Sequence, residues 1–195
     1  MNARGRILEQ VREALAARES APHPGDFEGW RAEDPAPPVD AFVRTFEAAG
    51  GEVVRVDDEG HAGAWLASLS AEFTTAAVGQ TVTPSLRPPL DDRPADTADM
   101  GVSMATCAIG ETGSLMLSAA DARLAQLLPP THVVFVSSHD VFATLREALI
   151  ASKHTLPSVI GLHSGPSKSA DIGQILVKGV HGPGRVIAVL IGVSP

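Results

Sequence analysis

Glu111, Thr112, Gly113 and Ser114 form a polar wedge inside an apolar stretch, ATCAIGETGSLMLSAADARL, residues 105–124. Charge is rare in such runs unless it finds partners. A carboxylate placed there can act as base, nucleophile or orienting group. Thr112 and Ser114 add hydroxyls, and Gly113 permits close approach of another group or a positive φ. The alternative is a turn between two strands with a solvated Glu111.

Two further glycine-bearing loops carry polar groups. In HSGPSKSADIG (163–173), Gly165 and Pro166 make a turn, and Ser167 and Ser169 are candidate helix N-caps with Lys168 between them and Asp171 following. Backbone amides at a helix start, hydroxyls and one lysine would make an anion cradle. A capped short helix alone would explain the serines and Asp171, but a cation is unfavourable at that end of a helix. The glycine spacing fits neither a phosphate loop nor a dinucleotide fingerprint. In KGVHGPGR (178–185), Gly179, Gly182, Pro183 and Gly184 define a rigid turn with His181 at its tip. His181 is a candidate catalytic group; a lone exposed histidine is the alternative.

Other chemistries lack their patterns. The histidines at 23, 61, 132, 139, 154, 163 and 181 form no HxxxH or HExxH pair, so no metal site is expected. No G-x-S-x-G elbow occurs. The single cysteine, Cys107, sits in an apolar run and reads as a buried inert thiol. One cysteine also excludes a disulfide framework or a Cys-ligated iron–sulfur cluster held by this chain alone.

The elements that must position these loops follow from pattern. Residues 3–18 carry Ile7, Leu8, Val11 and Leu15 at helical spacing, and 20–38 hold five prolines in an arm that Phe27 and Trp30 could pin to a surface, or in a mobile spacer. The division expected is thus an N-terminal helix and proline-rich arm, 1–38, and an α/β domain, 39–195. Within the latter, helices are predicted over 39–51, 61–70, 121–130 and 139–152, the last with Asp140 near its start. Strands are predicted at 52–56, 75–79, 100–109, 114–119, 132–138, 158–165 and 185–193. Asp57, Asp58 and Glu59 read as the cap of the second of these helices. The continuous apolar run HVVFVSS marks a strand buried on both faces. Strands alternating with helices imply an α/β fold with a largely parallel sheet flanked by helices, which collects ligands at the carboxyl ends of its strands.

The 195 residues suit one domain with an appendage, and an aliphatic core, since the chain has six Phe, two Trp and no Tyr. The net charge of −8 is uneven: residues 1–99 hold 18 acids and 9 bases, residues 100–195 hold 5 acids and 6 bases. The acidic balance argues against nucleic acid, while a small anionic ligand suits the C-terminal stretch. No run is long enough for a signal peptide or a membrane span, so a cytoplasmic protein is expected.

Three stretches together, IGETGSLML, LAQLLPPTHVVFV and SGPSKSADIGQILVKGVHGPGRVIAVLI, resemble the LUD-domain proteins, and among them the lactate utilization protein C group. The likeness covers roughly residues 100–192 in family order; the N-terminal half matches only in layout. Lys168 stands where arginine is common, exchanging a planar fork for a point charge. Ile109-Gly110 stand where a small residue such as alanine is common. The resemblance implies the fold of the NagB/RpiA/CoA transferase-like proteins. It implies a role in oxidising L-lactate to pyruvate beside partner proteins that carry iron–sulfur clusters, with no cofactor in this chain itself. An accessory or substrate-handling subunit with a small anionic ligand at the three loops follows. The alternative is a stand-alone CoA-transferase- or isomerase-like enzyme. Glu111-Thr112-Gly113 is similar to the nucleophilic glutamate turn of class I CoA transferases, and Lys168 would hold phosphate or carboxylate.

Overall fold

The computed structural model describes residues 3–16, 36–170 and 176–194. The chain divides into two units, 1–33 and 34–195. In the first, α1 (Ala3–Ala16) is the predicted amphipathic helix. Most of the proline-rich arm, and Asp171, lie outside the described residues.

The second unit opens with α2 (Pro38–Ala48), whose Pro38 occupies the first turn, where a missing N–H costs nothing. Then follow β1 (Glu52–Val56), α3 (Glu59–Leu69), β2 (Thr75–Val78), β3 (Asp91–Asp92), β4 (Met100–Met104), β5 (Cys107–Ile109) and β6 (Ser114–Ser118). After α4 (Arg123–Leu127) come β7 (Thr131–Ser137), β8 (Val141–Phe142), α5 (Leu145–Ser152), β9 (Ile160–His163), β10 (Lys168–Ala170), β11 (Leu176–Lys178) and β12 (Arg185–Ile191). Asp58 caps α3 by accepting from the His61 amide at 2.8 Å, as the acidic string predicts.

Among the described residues the strands form three sheets. The main one has order β1-β12-β7-β4-β2-β3 and every pairing in it is parallel. A four-stranded sheet has order β8-β5-β6-β9, and β10 and β11 form a hairpin. Both faces of the main sheet are covered. Val133 and Phe135 point, with Ile187 and Val189, toward Leu66 and Leu69 of α3. Val134 and Val136 point, with Val186, Ala188 and Leu190, toward Phe42 and Phe46 of α2 and Leu115 and Leu117 of β6. The period-two alternation of strand side chains and this double cover explain why β7 and β12 read as unbroken apolar runs.

Three local expectations are corrected. The stretch 100–109 is two strands, not one: β4 joins the main sheet and β5 turns away at Ala105-Thr106 into the smaller one. The helix predicted from Asp140 begins at Leu145; residues 138–140 form a 3₁₀ turn and β8 pairs with β5. Thr144 is the cap, its hydroxyl accepting from the Glu147 amide at 3.2 Å while Glu147 accepts from the Ala143 amide at 3.1 Å. Ser167 and Ser169 do not start a helix. Lys168, Ser169 and Ala170 form β10, so among the described residues of that loop there is no helix N-terminus.

Candidate functional site

The GETGS wedge is the turn between β5 and β6, and its partners are protein groups. Gly113 has φ +59°, and a methyl group there would lie 2.5 Å from the Phe46 amide nitrogen. The glycine thus admits the backbone of α2. Thr45 closes the contact by donating to the Gly110 carbonyl at 2.8 Å. Glu111 is half-buried, and its Oε1 accepts from the Leu145 amide at 2.7 Å. Leu145 is the first residue of α5, so the carboxylate satisfies an amide with no partner inside the helix, at its positive end. That answers the cost of a carboxylate beside two apolar strands. Thr112 and Ser114 share a hydrogen bond of 2.7 Å, and Ser114 meets the Ser164 hydroxyl at 2.6 Å.

The second and third loops lock together. The Ser167 amide donates to the Pro183 carbonyl at 2.8 Å, the Gly179 amide donates to the Ser167 carbonyl at 3.0 Å, and Gly182 packs on the Ser167 side chain. Gly165 lies against the Ala49 carbonyl. Lys168 donates to that same carbonyl, at the C-terminal end of α2. A cation belongs at that end of a helix, which explains Lys168 without a bound anion. Ser169 follows in β10, and His181 is exposed in its turn. The first two loops therefore meet α2 and the third packs on the second, but Glu111 bonds to α5 and Lys168 to the end of α2, not to each other.

A different group of polar side chains converges between α4 and β9. There a cleft of about 190 Å³ is lined by Arg123, Gln126, Leu127, Ile160, Gly161 and His163, among others. Its α4 wall is held in place. Buried Asp121 accepts from the Thr81 amide at 2.8 Å and the Met104 amide at 3.4 Å. Ala122 takes a left-handed conformation, φ +49°, that aims the chain into α4. Buried Gln126 donates to the carbonyls of Ser118 and Asp121, both at 2.9 Å, closing the turn. Arg123 follows at the first position of α4, exposed at the cleft.

On the opposite wall, His163 turns its Nε2 along the strand to Gly161; a methyl group there would lie 3.0 Å from it. Behind His163 stands His132, fully buried, at ring-centroid distance 6.0 Å and edge-on. His132 Nε2 pairs with the buried Ser103 hydroxyl at 3.0 Å, and its Nδ1 has no hydrogen-bond partner. Burial pushes the His132 pKa down to about 3, with His163 adding a smaller push. Burial lowers the His163 pKa as well. Both rings are therefore neutral near pH 7, each with one donor and one acceptor nitrogen.

Sequence reasoning passed over Arg123, His132 and His163. The available signal was His132 itself, a polar ring opening a continuous apolar strand. Cys107 is buried, and desolvation with the nearby Asp140 raises its pKa to about 11, so it is a thiol, not a thiolate ligand. Among the described residues no group of three or more His, Cys, Asp or Glu is placed to hold a metal ion. No described helix is long and apolar enough to cross a membrane.

Residues 91–191 match the model of the LUD domain. The chain is 36% identical over 98 residues to an uncharacterized protein of Neisseria meningitidis, covering 48% of this chain and 42% of that protein. It is 34% identical over 105 residues to lactate utilization protein C of Bacillus subtilis, covering 50% of this chain and 44% of that one. The matched stretch thus spans less than half the length of these curated relatives. A crystal structure of a DUF162 family protein from Deinococcus radiodurans has a TM-score of 0.62 at 21% identity, covering 80% of this chain and 96% of that chain. At that identity the likeness is one of fold.

Proposed function

From the premise that this chain belongs to the LUD domain family, we propose that it serves lactate utilization as a substrate-handling, non-redox subunit that binds a small carboxylate. The observation that carries this reading is the cleft between α4 and β9. It sets one arginine and one uncharged histidine among largely apolar walls, Leu127, Val159 and Ile160 included, in about 190 Å³. A cleft of that size suits a small molecule and not a nucleotide or coenzyme. A guanidinium receives a carboxylate in a two-pronged geometry, and lactate has that size and charge. The names of relatives such as lactate utilization protein C of Bacillus subtilis support the pathway.

Oxidation of lactate to pyruvate releases two electrons and two protons. This chain's one thiol is buried and protonated. In this reading iron–sulfur clusters held by partner proteins would accept the two electrons, and the protons would go to solvent. The chain's own residues hold and orient the acid. Glu111, bonded to α5, is a positioning carboxylate in this scheme.

Calorimetric titration of the purified chain with L-lactate tests the binding role. Saturable binding that is lost in Arg123→Ala is the expected result, and no binding of any short acid would overturn it. Co-purification from cells grown on lactate tests the partnership: absence of any cluster-bearing protein, with unchanged growth after deletion, would remove it.

A further inference from the structure

The cleft contains a recognition element beyond its cation. His163 and Gly161 are two residues apart on β9 and so share a face of the strand. The His163 ring lies beside Gly161, with Nε2 3.0 Å from the position a Cβ would take. Both residues line the cleft. Among the described residues the His163 ring makes no hydrogen bond; its structural contact is the edge of His132. Behind it, the fully buried His132 leaves Nδ1 unpartnered, although its Nε2 is matched to Ser103. An unsatisfied buried nitrogen is uncommon and costly. The His163 ring, with hydrogen-bonding capacity to spare at the wall of a small cleft that carries an arginine on its α4 side, is placed to meet a second polar atom of a ligand.

We infer that His163 reads the oxygen on the carbon next to the carboxylate, so that the cleft selects short acids oxygenated at C2 over unsubstituted ones. The inference rests on the carboxylate-binding role proposed above. With the carboxylate on Arg123, the C2 substituent is directed across the cleft to β9. A neutral imidazole accepts from a C2 hydroxyl through its bare nitrogen, or donates to a C2 carbonyl through its N–H. The ring therefore accommodates both members of a 2-hydroxy/2-keto couple. A methylene in that place leaves the nitrogen dry and unpaired, which is disfavoured. A side chain at Gly161 would crowd Nε2. His132, held by Ser103, packs the His163 ring from behind and is a positioning residue.

The test is titration of the full chain with L-lactate, pyruvate and propionate at pH 7.5. Lactate and pyruvate are expected to bind roughly tenfold more tightly than propionate, the affinity equivalent of about one hydrogen bond. His163→Phe should bring both down to the level of propionate and leave propionate unchanged. His163→Gln, which keeps a donor and an acceptor, should restore part of the difference. Gly161→Ala, whose methyl group would crowd Nε2 while the imidazole is retained, should reproduce the loss, so the result does not depend on how one variant folds. Arg123→Ala should weaken all three acids together. Equal affinity for all three acids, or selectivity that survives both His163→Phe and Gly161→Ala, would overturn this inference and leave the carboxylate role standing. Failure of every acid to bind would overturn the carboxylate role itself.

Discussion

His132 and His163 meet edge to face with ring centroids 6.0 Å apart, one fully buried in the main sheet and the other on the wall of a cleft. They come from different sheets. Their meeting places ionisable groups where charge is disfavoured, which makes stability depend on pH.

His132 has a folded-state pKa of about 3 against an ordinary value of 6.5. A histidine whose pKa falls on folding binds its proton first in the unfolded chain. Its contribution is complete above about pH 6.5 and is lost as pH falls toward 3. His163 acts in the same direction. The melting temperature is expected to hold from pH 8 to 7 and to fall between pH 6.5 and 4.5. Replacing the pair by His132→Leu with Ser103→Ala should flatten that slope; an unchanged slope would mean that His132 is protonated in the fold.

Glu111→Ala removes the acceptor for the first amide of α5. A charged acceptor at a helix start is worth about 1–2 kcal/mol. Urea denaturation should show a loss of this size with an unchanged m-value. Loss of ligand binding with unchanged stability would instead assign Glu111 to the ligand.

Gly113→Ala forces a side chain into a left-handed backbone and against the Phe46 amide. The conformational cost alone is about 1–3 kcal/mol, and the clash adds to it because backbone cannot step aside as a flexible side chain would. Expression of soluble protein and its melting temperature should both fall. Wild-type stability in this variant would contradict the packing of the turn on α2.

Cys107, buried with its pKa raised to about 11, should be inert to a thiol reagent at pH 8 in the native protein. It should react fully once denaturant is added. Rapid stoichiometric labelling of the native chain would show that β5 opens readily.

Much of the fold was legible in pattern. Residues 39–51 gave a helix, 52–56 a strand and 132–138 a strand buried on both faces, and the acidic string at Asp58 proved to be a helix cap. The errors fell where pairing outranks propensity. Ser167-Lys168-Ser169 has the composition of a helix start, yet Lys168 pairs across a hairpin with Lys178 and Ser169 with Val177. The segment after β7 looked helical from its first residue, but Val141 and Phe142 are drawn into pairing with β5 before α5 begins.

The candidate site was legible only in its inventory. Sequence by itself determined the alternation of elements, the doubly covered aliphatic strands and the polar loops, because these depend on near neighbours and on side-chain period. It also carried the LUD-domain likeness, which lies in short local motifs. Tertiary structure decided which polar groups meet. Lys168 found a carbonyl 119 residues away, Glu111 an amide 34 away and His132 a hydroxyl 29 away. Strand pairing and the packing of helices on the sheets set such contacts, parallel for His132 and Ser103 and antiparallel for the strands that carry Lys168 and flank Glu111. That is why the wedge at Glu111 became the anchor of a helix, while the cleft brings together an arginine and a histidine, backed by a second histidine, that share no local motif.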